Sequence, residues 1–504
     1  MKLCSKFFTP YLLSTLLGAS VFLLSGITTV PWFDEIVLAD KPANWIMRGE
    51  NYGYVCACTY NLLFPLVETL WFWLFGPSHA SACALPLLFA LLSSFAALHI
   101  LTRRGILATS AGQCLFIVLY WCGWNMIWIV TNGRPDTMAM FFTILLADAL
   151  VPDPVATRRV SLFAPIAFAY LLLLTSPSTI PVLFIGGIVL LATADPVDRK
   201  QIFKAGVATA MGFGLAMATM LAYYCCTHEI VTFIGSYYQH NNATSANGIP
   251  FFGSILKAYQ TDLSPFPLLL ASAIIAAASQ PRPTRRFWFA LLFAALIPAM
   301  MAPSRYATYY TWTFHLPAAI LLASVLDRSN RKVLLSFCIA ISLPALACRE
   351  YVNFNATAEK RALYASCQDL VDSYPEVFRP GADIVVTEDI DEQGCGFLYP
   401  VLNRGCRFWM RGKHILTVPC DEARVRECLS AVIPDSATQE RILAFQRFPP
   451  QLPESGTFLF VTPESRAKIL PVLSEKGYQE VSAQTPANAY PCFSRWAKPS
   501  APED

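Results

Sequence analysis

Apolar residues along the chain form long blocks separated by short charged or proline-rich breaks. At about 20 residues per membrane crossing, the blocks fall at 11–30, 79–101, 106–124, 135–151, 161–175, 181–194, 205–224, 265–279, 287–301, 309–326 and 333–348. The pattern predicts eleven crossing helices. The first block follows Lys2 and Lys6, is too long for the apolar region of a signal peptide and is followed at once by acids, so it is expected to remain as an uncleaved span. Residues 61–75 are also apolar, but Pro65 and Glu68 interrupt them, and Trp71 and Trp73 suit the depth of the outer interface, where this stretch is expected to lie.

From Arg349 the blocks stop. Short β-branched runs at 383–387 and 457–461 alternate with helical stretches near 358–374, 421–432 and 463–476, the pattern of a compact α/β domain. The expected organisation is therefore an α-helical polytopic membrane part, residues 1–348, and a soluble α/β domain, residues 349–504. Two long loops, about 31–78 and 225–264, fall on the outer side, and no internal repeat of fixed period is visible.

Charge sharpens the division. Of the first 348 residues 33 are charged, about 9%, against 38 of the last 156, about 24%, and only the second figure is that of a soluble domain. With 55% apolar residues and a mean hydropathy of +0.46, collagen-like and disordered classes are excluded. Net charges of +7 and −4 for the two parts are too small and too dispersed for a nucleic-acid partner. If the N-terminus is cytoplasmic, fifteen Lys and Arg fall in inner loops, and only Lys41, Arg48, Arg134, Lys257 and Arg305 in outer ones. That bias predicts a multi-pass inner (plasma) membrane protein whose C-terminal domain is extracytoplasmic. Six of the 16 cysteines, Cys367, Cys395, Cys406, Cys420, Cys428 and Cys492, lie in this domain, and an even number there reads as disulfides.

Candidate chemistry collects at the outer surface. Asp34 and Glu35 follow the first span directly, and two adjacent carboxylates at a low-dielectric boundary repel each other, which supplies a base or recruits a cation; an acidic pair near a helix N-terminus is the plainer reading. Arg134 and Asp136 lie in Thr131-Asn-Gly-Arg-Pro-Asp136, where the arginine fork fits a phosphate. The alternative is an Arg–Asp pair that caps the next helix, with Pro135 in its first turn. Ser304 to Pro317 brings Arg305, Tyr306, Tyr309, Tyr310 and His315 to the outer leaflet, suited to a lipid phosphate and to stacking on a sugar, while an aromatic belt explains the tyrosines without a ligand. His315 alone reads as a hydrogen-bonded interior histidine. Lys41 and Arg48 are further phosphate candidates, and the spacing of His228 and His240 is not diagnostic of a metal.

Phe33-Asp34-Glu35 after the first span, Gly133-Arg-Pro-Asp136 opening the fourth, Thr175-Ser-Pro177 between the fifth and sixth and Tyr309-Tyr310 through Pro317 in the tenth together resemble the GT-C class of membrane glycosyltransferases. The resemblance is to the polyprenyl-phosphate-sugar-dependent branch, with its protein O-mannosyltransferases and lipid A aminoarabinose transferases, and it covers roughly residues 1–350. It implies Asp34 as catalytic base, with Glu35 as its neighbour or as ligand to a divalent metal ion. It also implies a polyprenyl-phosphate sugar as donor, an acceptor hydroxyl on a lipid, glycan or protein, and Arg134, Arg305 and Lys41 as groups that stabilise the departing phosphate. Many relatives carry a Lys where this chain has Ser176. A polymerase or ligase using lipid-diphosphate sugars expects the same outer arginines, whereas a transporter or flippase expects mid-membrane charge and paired broken helices.

Overall fold

The computed structural model describes residues 2–23, 62–121, 124–131, 133–151, 162–226, 266–301, 310–329, 358, 361–386, 396–410, 430, 435–437, 453–475, 477–483, 485 and 491–499. Helices dominate the first part. In chain order they are α1 (Lys2–Val21), α2 (Leu63–Phe75), α3 (His79–Arg103), α4 (Ser110–Trp121), α5 (Trp124–Thr131) and α6 (Asp136–Leu150). They continue with α7 (Phe163–Thr175), α8 (Ile180–Thr193), α9 (Pro196–Cys226), α10 (Phe266–Ala278), α11 (Arg282–Met301) and α12 (Trp312–Ser329). Two of the described helices, α3 and the 198–226 stretch of α9, are by themselves long and apolar enough to cross a membrane, and a third crossing is formed if the bent pair of α7 and α8 counts as one. The last expected block, 333–348, lies outside the described residues.

The expected boundaries shift where helix geometry runs past the apolar run. Helix is also formed beyond 124, in α5, and α9 starts at Pro196, so Arg199, Lys200 and Lys204 sit on the helix itself. Blocks 161–175 and 181–194, expected as two crossings, are α7 and α8, bent by 116° at a break. Each is about 20 Å long at 1.5 Å per residue, short of a bilayer core of about 30 Å. A bend beyond a right angle turns the chain back, and Pro177, which cannot continue α7's hydrogen-bond ladder, marks the turn.

Side-chain contacts define two ends of the bundle. At one end Arg103 Nη2 donates to both oxygens of Asp148 at 2.8 and 2.9 Å, and Arg104 Nη2 donates to the Asp148 and Val151 carbonyls at 2.9 Å each. Those carbonyls belong to the last turn of α6, where positive charge complements the helix dipole. Asp327, near the end of α12, accepts from the Ala108 and Thr109 amides at 2.5 and 3.2 Å just before α4 begins, and a Cβ at Gly112 would run into its carboxylate. At the opposite end Cys83 Sγ donates to the Thr131 carbonyl at 3.1 Å. The starts of α3, α6 and α12 therefore gather at one end and their finishes at the other.

Interior seams are built from small and hydroxylated residues, as expected where no hydrophobic drive holds helices together in lipid. Trp121 Nε1 donates to Ser14 Oγ at 2.9 Å, and Ser14 bonds Ser94 at 2.7 Å, joining α1, α3 and α4. A Cβ on Gly18 would meet the Trp121 ring at 3.0 Å, so the indole fits because this position lacks one.

α2 buries Phe64, Pro65, Glu68 and Phe72 and exposes Leu66, Leu70, Trp73 and Leu74. Glu68 thus sits on the buried face, fully inaccessible, rather than breaking an interfacial stretch: it follows Phe64 by four residues and precedes Phe72 by four, which stacks all three on one side.

Beyond residue 360 a helix, α13 (361–373), precedes β1 (Asp383–Val386), α14 (Leu398–Asn403), β2 (Arg407–Met410), β3 (Ser455–Phe460), α15 (Pro463–Glu475), β4 (Gln479–Ala483) and β5 (Cys492–Ala497). The strands form one sheet in the order β2-β1-β3-β5-β4. β1 runs parallel to β2 and β3, and β5 antiparallel to β3 and β4. Alternation along β1 sends Ile384 and Val386 into one apolar cluster with α13 and α14, and Val385 into another with α15. The first cluster also takes in Phe72 of α2 and Ala82 of α3, so the sheet unit rests on the bundle end where α3 begins.

Among the described cysteines of this unit no disulfide is formed. Cys367, Cys406 and Cys492 carry thiols in this structure, while Cys395, Cys420 and Cys428 lie outside the described residues. Cys367 and Cys406 pack on one face of the sheet and Cys492 on the other, which separates Cys492 from the other two. Burial pushes the Cys367 thiol up to about 12 and that of Cys406 up to about 11, and Cys406 Sγ donates to the Arg379 carbonyl at 3.3 Å.

Candidate functional site

The turn between α5 and α6 carries a polar cluster at the bundle end under the sheet unit. Gly133 adopts φ +60°, a left-handed conformation that needs no Cβ and lets the chain reverse. Pro135, at φ −72°, precedes the first helical residue, Asp136. The turn therefore presents Arg134 and Asp136 side by side.

Arg134 Nε donates to Asp136 Oδ2 at 2.7 Å, and Trp312 Nε1 donates to Asp136 Oδ1 at 3.1 Å. Asp136 is 2% exposed and Trp312 1%. The expected Arg–Asp pair is formed, but it does not cap the helix: the α6 N-terminus has no side-chain cap. Its carboxylate instead ties the turn to α12. Ser93 Oγ of α3 adds a bond to the Thr137 carbonyl at 3.3 Å.

The start of α12 is held by three neighbours in a single turn. Trp312 reaches Asp136 on α6, Thr313 Oγ1 donates to the Ala295 carbonyl of α11 at 2.6 Å, and His315 Nε2 donates to the Leu119 carbonyl of α4 at 2.6 Å. His315 is thus an interior histidine whose Nε2 is committed to backbone. Tyr310, half-buried, leads into this turn, and its carbonyl lies 2.7 Å from Thr313 Oγ1, sharing the one hydroxyl proton with the Ala295 carbonyl.

A second polar group lies on the same side of α6. Thr143, seven residues or two turns after Asp136, donates from Oγ1 to Thr179 Oγ1 at 3.0 Å. Thr179 belongs to the break between α7 and α8, with Thr175 and Ser176, both also buried. Ser176 Oγ bonds Ser178 Oγ at 3.1 Å. The Thr175-Ser-Pro177 stretch is therefore a hydroxyl-lined bend packed against α6.

Of the residues expected at the site, the structure brings Arg134 and Asp136 together and sets His315 and Tyr310 on or beside the helix whose Trp312 joins them. Asp34, Glu35, Lys41, Arg48, Arg305, Tyr306 and Tyr309 lie outside the described residues, as do His228 and His240. Among the described residues no group of three or more His, Cys, Asp or Glu forms a metal site, and the acids expected to hold a divalent ion are not among them. Trp312 is the participant that sequence reasoning missed, and its tryptophan in an outer-leaflet segment was its only signal.

No family model matches the chain, and no curated protein matches it. Solved structures do. ArnT from Cupriavidus metallidurans in the apo state is similar over 98% of this chain and 99% of its own, with a TM-score of 0.55 at 13% identity. ArnT from the same organism bound to undecaprenyl phosphate gives 0.55 at 14%, over 97% and 98%. The oligosaccharyltransferase of Archaeoglobus fulgidus in complex with Zn and sulfate gives 0.51 at 12%, over 96% of this chain and 73% of that one. At such identities the likeness is one of fold, and with its apolar helices it establishes that this chain is a polytopic membrane protein with a GT-C class fold.

Proposed function

We propose that the chain is a membrane glycosyltransferase that moves a sugar from a polyprenyl-phosphate donor to an acceptor hydroxyl at the outer face of the membrane. The observation that carries this reading is the end-to-end likeness to ArnT bound to undecaprenyl phosphate, covering 97% of this chain and 98% of that one. Arg134, paired with Asp136 in a largely buried turn at the bundle end under the sheet unit, supports it through its planar guanidinium, whose geometry matches a phosphate as well as the carboxylate it holds.

In this reading the acceptor oxygen attacks the anomeric carbon and its proton passes to Asp34, with Glu35 beside it. The bond from that carbon to the phosphate oxygen breaks, and the electron pair leaves with the polyprenyl phosphate. Arg134, Arg305, Lys41 and Arg48 gather round the charge that develops there. Tyr306, Tyr309 and Tyr310 line the sugar's approach. A divalent ion near Glu35 would supply further charge neutralisation. The lipid tail stays in the bilayer, so no soluble nucleotide-binding domain is needed. The membrane part, 1–348, holds the site with the N-terminus cytoplasmic, and 349–504 forms the extracytoplasmic domain.

The rival readings divide on the donor. A polymerase or ligase of the same fold takes a lipid-diphosphate sugar. A transporter would show broken helices in pairs, and among the described residues α7 with α8 is a single bent pair. Incubating the purified chain with polyprenyl-monophosphate and polyprenyl-diphosphate sugars and assaying the released lipid decides between them. Release of polyprenyl monophosphate is expected; release only from the diphosphate donor would replace this reading with the polymerase or ligase, and release from neither would remove the transferase.

A further inference from the structure

Trp312 has no role in the chemistry set out above, yet its indole N–H is spent on the carboxylate that holds Arg134. Asp136 gives each of its oxygens to a different donor, Oδ1 to Trp312 at 3.1 Å and Oδ2 to Arg134 Nε at 2.7 Å. A carboxylate fixed at both ends cannot rotate without losing one bond, and at 2% exposure water is a poor substitute for either. Arg134 is therefore gripped by its Nε side. The guanidinium is planar, so fixing Nε fixes the plane in which its N–H groups can meet phosphate oxygens.

The tryptophan is itself well anchored. Thr313 and His315, one and three residues on, bond backbone carbonyls of α11 and α4 at 2.6 Å each, so the first turn of α12 is immobilised against two other helices. We propose that Trp312 is a positioning residue for the donor phosphate: acting through Asp136, it sets the direction in which Arg134 presents its fork. The inference rests on the reading of Arg134 as a phosphate contact. It makes Asp136 the link between the two.

The test uses the full chain in nanodiscs, with binding of undecaprenyl phosphate and of uncharged undecaprenol measured for wild type, Trp312→Phe, Arg134→Gln and the double variant. Trp312→Phe keeps the aromatic bulk and deletes only the donor. It is expected to weaken undecaprenyl phosphate roughly tenfold, the scale of one hydrogen bond to a charged group, to leave undecaprenol unchanged, and to have no further effect once Arg134 is Gln. Equal weakening of both lipids, or the same loss in the Arg134→Gln background, would show that Trp312 acts by packing and would overturn the proposal while leaving the donor reading intact. Failure of wild type to bind undecaprenyl phosphate would overturn the donor reading and the proposal with it. If Trp312→Phe does not fold, Asp136→Asn breaks the same link from the other side, and the same phosphate-specific, Arg134-dependent loss is expected.

Discussion

Arg134 Nε meets Asp136 Oδ2 at 2.7 Å, two residues along the chain, with side chains only 12% and 3% exposed. Removing one partner of such a pair strands the other's charge, so a variant that keeps a hydrogen-bond donor isolates function from folding better than an alanine. Arg134→Gln is expected to raise the donor KM by tenfold or more, roughly the loss of one charge-assisted contact, and to leave the ranking of acceptors unchanged. Steady-state kinetics with donor and acceptor varied in turn checks this. A shifted acceptor ranking at unchanged donor KM would move Arg134 to the acceptor side.

Gly212 on α9 faces α7 so closely that a Cβ would strike the Ile166 carbonyl and come within 2.9 Å of the Ala169 methyl, whereas a Cβ on Gly214 would meet nothing within 4 Å. Gly212→Ala is therefore expected to destabilise the bundle by about 1–3 kcal/mol, as overpacking does. Gly214→Ala is expected to be neutral or slightly stabilising, since alanine is the better helix former. Thermal melting in one detergent compares the two directly, and equal melting points would contradict the close approach of α7 and α9.

Cys367 and Cys406 are buried thiols whose ionisation is pushed well above the ordinary value of 9.0. In the native chain at pH 8 both are expected to resist iodoacetamide, and after denaturation without reductant both should be labelled. Mass spectrometry of the peptides reads this; labelling that requires reductant would restore the disulfide framework expected from the cysteine count.

The same shifts fix a pH dependence. A thiol pKa raised on folding stabilises the native state fully below the unfolded value near 9.0, and that stability fades as pH climbs towards about 12 for Cys367. The sheet unit should therefore lose stability in alkali above pH 9, and Cys367→Ala should flatten that slope.

The membrane part and its polar turn were legible because both are written locally. Apolar blocks mark helices, and Gly133-Arg-Pro-Asp136 is a break whose residues have few other uses in a bilayer. Trp312 was not legible in the same way: its partner lies 176 residues away, and an outer-leaflet tryptophan is explained as readily by the aromatic belt. Glu68 was readable from its four-residue spacing to Phe64 and Phe72, which puts all three on one helix face. Pro177 signalled a break between α7 and α8, yet no local pattern encodes a 116° bend, which depends on what the two helices pack against. In the sheet unit β1 and β3 showed their β-branched runs, while β4, exposed at every position, had no alternation to reveal it.

The proposed reaction is sugar transfer from a polyprenyl phosphate with Asp34 as base. The most direct measurement is radiolabelled sugar transfer from polyprenyl-phosphate donors into membrane lipid, glycan and protein fractions, wild type against Asp34→Asn, with undecaprenyl-phosphate binding measured on both. Label is expected in one fraction with wild type, none with Asp34→Asn, and binding retained in both. Label that persists with Asp34→Asn would remove Asp34 as the base, and no label with wild type from any monophosphate donor would contradict the transferase itself.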